Sequence, residues 1–147
     1  MRSLSALAAA ALIAGLAAGC SSSPSPAPSP TGSALTTERQ DYAIPLLIQC
    51  ALTRGLMKPP TGMVTPPGQT PWLKGTKLVL TPANDSTFNE WSASVIGTVI
   101  AGKEIEDWIP QTASSGKLPA AVCGTSVTAS ALQKQVFAGD PAAGDPW

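Results

Sequence analysis

The stretch TTERQDYAIPLLIQCALTRG, residues 36–55, decides the fold because it carries the first helical pattern of the chain. A threonine at its start can cap a helix, and the Arg-Gly pair at its end is a typical C-terminal stop. Pro45 predicts either a kink or a helix start one turn later. Apolar side chains recur at helical offsets and form one face: Ala43, Leu46, Leu47, Cys50 and Ala51.

The chain has three cysteines, Cys20, Cys50 and Cys123. If the Cys20 thiol is modified and cannot form a disulfide, Cys50 and Cys123 remain as an even pair. In an exported domain such a pair predicts a disulfide. Closing a loop of this length stabilises a domain by roughly 4 kcal/mol in the chain-entropy model. Two buried free thiols are the alternative.

Residues 58–71 are rich in proline and glycine, which excludes a regular helix or a central strand. The sequence of residues 76–81 predicts a short strand or an extended stretch. A helix start follows at Asn84, with an apolar stripe that extends it. A strand over residues 94–101 is the competing prediction, because this segment is rich in β-branched residues. The stripe consists of Phe88, Trp91, Val95 and Val99.

A cluster of carboxylates precedes a second short helical pattern that contains Trp108. A last amphipathic helix is predicted from Thr125 or Ser126 to about Phe137. These patterns together predict a mainly α fold. It is a small helical domain pinned by a disulfide, with one minor strand pair as an option, and it follows a disordered Pro/Ser linker.

Composition excludes several classes of function. Lys plus Arg and Asp plus Glu each number 9, so no basic surface for nucleic acid is expected. The chain contains no histidine, which removes Ser-His-Asp and Cys-His catalysis. The remaining Asp, Asn, Glu and Cys residues lack the spacing of a calcium or zinc site. We therefore expect no cofactor, no metal and no enzymatic activity.

The N-terminal residues carry an export signal. Arg2 precedes an uncharged run from Leu4 to Ala18, which is too short to span a membrane and is typical of a signal peptide. The sequence Leu-Ala-Ala-Gly-Cys ending at Cys20 resembles the lipobox of bacterial lipoproteins. The resemblance implies cleavage before Cys20, a diacylglyceryl group on its thiol and a further acyl chain such as palmitate on its amine. An ordinary secreted protein with a free Cys20 is the alternative.

These features divide the chain into four segments. Residues 1–19 are the predicted signal peptide, and residues 20–33 are the anchor cysteine with a Ser/Pro-rich tether. Residues 34–138 are the predicted globular domain, and residues 139–147 are predicted to be a disordered tail. The protein is expected on the outer side of the bacterial cell membrane, bound through lipid on Cys20.

Two kinds of functional residue stand out in the domain. Trp72, Trp91 and Trp108 are candidate ligand-contact aromatics of a non-enzymatic binding module, whose partner is an envelope protein or a small ligand. Carboxylates could instead serve a small envelope hydrolase: Glu104, Glu106 and Asp107, with Glu90 nearby. An accessory subunit of a transport or signalling complex is a third hypothesis.

Overall fold

A long first helix, α1 (Gly32–Thr53), organises the fold in the computed structural model, which describes residues 32–147. Its second half is buried all round, with Leu46, Leu47 and Ile48 fully inaccessible to solvent. Such a helix lies inside a domain rather than on its surface. The predicted apolar face is confirmed, and it extends to Ile48 and Leu52.

The two ends of α1 differ in how well the sequence predicts them. The stop is confirmed: Gly55 has a φ of 68°, and Leu56 N–H donates to Ala51 O at 2.9 Å, as in a Schellman motif. The predicted start at Thr36 or Thr37 is wrong, because the helix begins at Gly32, four residues before Thr36. Pro45 lies inside the helix and is buried, so packing offsets the backbone hydrogen bond that proline cannot donate.

The rest of the described residues, 54–147, forms four further helices and six strands of two residues each. The helices are α2 (Asp85–Val95), α3 (Ile105–Ser115), α4 (Ala120–Cys123) and α5 (Ala129–Val136). The strands pair antiparallel: β1 (Leu73–Lys74) with β2 (Lys77–Leu78), β3 (Val99–Ile100) with β4 (Lys103–Glu104), and β5 (Lys117–Leu118) with β6 (Val127–Thr128).

The predicted mainly helical class is therefore confirmed, with three minor strand pairs in residues 32–147 instead of one. Two pairs are tight hairpins. Ala101 and Gly102 join β3 to β4 with φ values of 52° and 81°, the positive pair that a type I′ turn needs. The third pair, β5 with β6, encloses α4 and lies at the entrance to α5.

Several element boundaries differ from the sequence expectation. The segment 94–101 is part helix and part strand, because α2 ends at Val95 and β3 begins at Val99. Helix α3 runs through Pro110 to Ser115. Helix α5 begins at Ala129, later than expected, because the two preceding residues pair with β5.

The hydrophobic core of the described residues lies where the later helices pack on α1. Fully or almost fully buried side chains come from α2, α3, α4, α5 and the strands: Phe88, Ile105, Leu118, Val122 and Val136. All of them join the same cluster as the buried half of α1. The domain therefore has one continuous core with α1 at its centre.

The predicted disulfide is confirmed. Cys50 in α1 is bonded to Cys123 at the end of α4, with the two Cα atoms 4.7 Å apart. Arg54 reinforces the same junction, because its Nη1 donates to Ala121 O at 3.1 Å and to Val122 O at 3.2 Å. A cation at the last carbonyls of a helix also suits the helix dipole.

The tail differs from its predicted disorder, because residues 139–147 lie against the domain. Arg39 Nε of α1 donates to Pro146 O at 2.8 Å, and Trp147 Nε1 donates to Ala113 O at 3.3 Å. The Trp147 ring also packs edge-on against Tyr42, with the centroids 6.4 Å apart. A large apolar side chain and several hydrogen bonds thus offset the ordering entropy of this segment.

Removing the disulfide is expected to lower the free energy of unfolding by roughly 4 kcal/mol, because the unfolded chain regains the freedom of a loop closed over 73 residues. The variant is Cys50→Ala with Cys123→Ala, measured by urea unfolding. Reduced wild-type protein is the control and should match the variant. A loss below about 1 kcal/mol would contradict the role assigned to the bridge.

Gly116 is expected to be the costlier of two glycines to replace. It has a φ of 66°, and an added Cβ would lie 2.9 Å from Trp147 Cδ1. Gly102 is the matched control, with a φ of 81° and open space around it. Urea unfolding should show a loss of about 1 kcal/mol for Gly102→Ala and a larger one for Gly116→Ala. The excess should vanish in a Trp147→Ala background, and equal losses would argue against tail docking.

Candidate functional site

A cavity of about 360 Å³ lies between the proline-rich segment and α2, within the usual size range of small-molecule sites. We call it the aromatic pocket. Its lining includes Gln69, Trp72, Thr87, Glu90 and Trp91.

Two indoles provide the aromatic part of the lining. The rings of Trp72 and Trp91 lie 4.9 Å apart between centroids and are tilted by 33°. Phe88 supports Trp72 edge-on, with centroids 5.3 Å apart. Trp72 is almost fully buried and Trp91 is half-buried. The pocket therefore borders a packed aromatic cluster, which holds its shape without a ligand.

The buried Asn84 side chain positions the segment that carries Trp72. Its Nδ2 donates to Thr70 O at 3.1 Å and to Val79 O at 2.9 Å, and its Oδ1 accepts from Thr81 N–H at 2.8 Å. Only 2% of Asn84 is exposed. Because a buried amide without partners costs about 1–3 kcal/mol, these bonds define where the loop lies.

Gln49 of α1 holds the β1–β2 hairpin in the same way. Its Oε1 accepts from Leu78 N–H at 2.6 Å, and its Nε2 donates to Thr76 O at 2.9 Å. Val79 N–H in turn donates to Trp72 O at 2.9 Å. The hairpin that presents Trp72 is thereby fixed to the buried helix.

Helix periodicity brings the remaining groups to the pocket. Thr87, Glu90 and Trp91 are three and four residues apart, so they share one face of α2. Phe88 points instead into the core, where it is 1% exposed. Asp85, in the first turn of α2, suits the positive end of the helix dipole.

Three polar side chains of the pocket are free for a ligand, unlike that of Asn84, which is fully hydrogen-bonded. Within residues 32–147, the side chains of Gln69, Thr87 and Glu90 make no hydrogen bond to the protein. Glu90 is the single ionisable residue in the lining, and no cation lines the pocket. The site therefore offers an amide, a hydroxyl and one carboxylate beside an aromatic surface.

Of the three predicted aromatics, the structure brings Trp72 and Trp91 together but not Trp108. Trp108 lies in α3, is 8% exposed, and donates from Nε1 to Ile100 O at 3.2 Å. The Nζ of Lys103 lies over its ring, 4.8 Å from the centroid. This indole is buried and already makes a hydrogen bond and a cation–π contact within the protein, so it does not offer a free face to a ligand.

Three of the carboxylates considered for hydrolysis, Glu104, Glu106 and Asp107, meet at the start of α3 and do not line the aromatic pocket. Glu104 and Asp107 form a capping box, in which the Asp107 carboxylate accepts from Glu104 N–H at 3.2 Å. A hydrogen bond with Glu106, and then its negative charge, raise the pKa of Glu104. Glu90 is separate from this cluster, because it lines the aromatic pocket.

Three other cavities have different chemistry. One of about 430 Å³ contains the disulfide and two cationic side chains, Arg54 and Lys77. One of about 470 Å³ has three carboxylates, Asp41, Asp85 and Asp140, beside Tyr42. Burial, together with nearby carboxylates, raises the pKa of the Tyr42 hydroxyl despite a lowering hydrogen bond from Gly144. The fourth, of about 220 Å³, lies along the tail.

The part of the chain described here holds no cluster of three or more His, Cys, Asp or Glu side chains suited to a metal ion. In that same part, none of the helices combines the length and the apolar character that crossing a bilayer requires. Cys20 and the whole predicted signal peptide lie outside the described residues, as does the tether up to Thr31.

Comparison with known proteins identifies no relative: no family model, no curated protein and no solved structure matches this chain. Sequence reasoning missed the roles of Gln49, Asn84 and Gln69. The sequence identifies Asn84 as a helix-start residue. No local sequence pattern shows that its amide also hydrogen-bonds Thr70 and Val79 of the preceding segment.

Proposed function

We propose that the protein is a lipid-anchored, extracytoplasmic binding module without enzymatic activity, and that the aromatic pocket is its ligand site. The observation that carries this proposal is the pocket itself. It combines the paired rings of Trp72 and Trp91 with polar side chains that the protein leaves unbonded. Mostly apolar lining with a few orienting polar groups is typical of small-molecule sites.

The position outside the cytoplasm is supported by two independent features. Cys20 follows the lipobox-like sequence, and a diacylglyceryl group on it would supply the two chains that stable anchoring needs. The Cys50–Cys123 bridge is of the kind found in oxidising compartments. Neither feature depends on the pocket.

The geometry favours binding over hydrolysis. Glu104 and Asp107 already act on the backbone at the start of α3, and Glu106 and Asp107 are exposed. A pair of catalytic carboxylates needs to flank a substrate on two sides. Glu90 is the single carboxylate in the aromatic pocket, so a second one is missing from the lining.

Replacement of the anchor residue is expected to abolish acylation. Wild-type protein expressed in a bacterium should fractionate with membranes, and its intact mass should show a chain that begins at Cys20 and carries acyl groups. Cys20→Ser should carry no acyl group and keep residues 1–19, because serine has no thiol to alkylate, whereas Ser21→Ala is the matched control and should match the wild type. Acyl-free wild-type protein, or an acylated Cys20→Ser chain, would refute the anchor.

The pocket is expected to bind at least one of three probes of different chemistry. The probes are chitotriose, the peptide SSSPSPAPSPTGS of residues 21–33, and choline, each at about 5 mM in view of the weak affinity of an open site. The measurement is the ¹⁵N–¹H spectrum of the indole groups in detergent-extracted protein. Binding should shift the Trp91 signal and leave the Trp108 signal unchanged.

Two variants complete this test. Trp91→Ala should abolish the response because it removes the half-buried ring of the pocket. Val99→Ala is the control, since Val99 is 63% exposed and does not line the pocket. If none of the probes moves the Trp91 signal, the proposed site is wrong.

A further inference from the structure

We infer that the aromatic pocket recognises a neutral saccharide, stacked on the Trp91 indole and hydrogen-bonded through Gln69, Thr87 and Glu90. This inference rests on the proposed function, because it specifies the ligand class of the same site. The ligand class is a pyranose whose substituents are equatorial. Three observations carry it, and they concern shape, polar groups and charge.

The first step is shape. A pyranose with equatorial substituents presents a flat face of C–H bonds, which packs on an indole as other apolar groups do. Trp91 is the half-buried ring at the pocket, and Trp72 backs it with centroids 4.9 Å apart. Because Phe88 and Trp72 support this surface from the core, the ring is held in place before a ligand arrives.

The second step concerns polar groups. A purely apolar ligand would remove water from the side chains of Gln69, Thr87 and Glu90 without replacing their hydrogen bonds, which is unfavourable. Ring hydroxyls donate and accept, so they can pair with an amide, a hydroxyl and a carboxylate together. The proline-rich peptide of residues 21–33 also carries hydroxyls, on six serines and one threonine, but they project from an extended chain and are not arrayed around one ring that can stack on the indole.

The third step is charge. No Lys or Arg lines the aromatic pocket, so a phosphorylated or carboxylated ligand would meet only the negative charge of Glu90. The cationic side chains Arg54 and Lys77 belong to the disulfide cavity, and the aspartates Asp41, Asp85 and Asp140 belong to the acidic cavity. Of these three cavities, the aromatic pocket has the fewest charged side chains, and its unbonded amide and hydroxyl suit the hydroxyls of a neutral ligand.

The test is a titration of the detergent-extracted protein with chitotriose and with cellotriose, followed by the Trp91 indole signal. We expect dissociation constants of about 0.1–1 mM for at least one of them. Binding of both shows that the hydroxylated ring face suffices, and binding of chitotriose alone shows that the acetamido group is recognised. Either result supports the inference.

Variants separate stacking from hydrogen bonding. Trp91→Ala should weaken binding at least about tenfold, and Trp91→Phe, which keeps a ring and protects the fold, should weaken it less. Gln69→Ala and Glu90→Gln should each weaken it about two- to tenfold. Glu106→Gln is the matched control, because it makes the same change at an exposed glutamate outside the pocket, and it should leave binding unchanged.

Three results would overturn the inference. The first is that neither trisaccharide binds at about 5 mM. The second is that binding is unchanged in the Gln69→Ala/Glu90→Gln double variant. The third is that choline or the proline-rich peptide shifts the Trp91 signal while both trisaccharides fail, which would leave the proposed binding function standing. If every probe fails, the proposed function falls as well.

Discussion

Two buried amides, Gln49 and Asn84, are the constraint on which the arrangement of this domain depends. Gln49 lies in the buried half of α1 and satisfies its oxygen with Leu78 N–H at 2.6 Å. Asn84 satisfies both ends of its amide with three backbone groups of the chain between Thr70 and Thr81. Because unbonded buried amides are costly, the non-helical chain between them has one favourable position against the helices.

The same constraint links the two halves of the aromatic pocket. Asn84 is the residue before α2, and Trp91 follows about two helical turns later. Its side chain also fixes Thr70 and Val79, on either side of Trp72. One side chain thus ties the segment that carries Trp72 to the start of the helix that carries Trp91. The Trp72 side of the pocket belongs to the packed core, and the exposed proline-rich segment forms the opposite wall.

Sequence alone could predict the features that local patterns encode. The apolar face of α1 and the pairing of Cys50 with Cys123 depend on helical periodicity and on an even cysteine count. Two-residue strands are too short to show an alternating pattern. The tail, rich in Gly, Asp and Pro, has the composition of disorder, yet Trp147 docks because Gly116, distant in sequence, has no Cβ. Likewise, three tryptophans could be named, but only the fold separates Trp108 from the other two.

An open pocket with one half-buried ring binds weakly, because much of the ligand stays in solvent and the cost of association is still incurred. On the proposed anchoring and ligand class, weak binding suffices when the saccharide is a polymer of repeated units. After one copy binds, the next contact forms at the high effective concentration set by the tether, so avidity exceeds the affinity of a single site. On the proposed anchoring, the Ser/Pro-rich segment and the shallow pocket are thus complementary. The tether sets how far the pocket extends from the membrane, and many anchored copies raise the avidity.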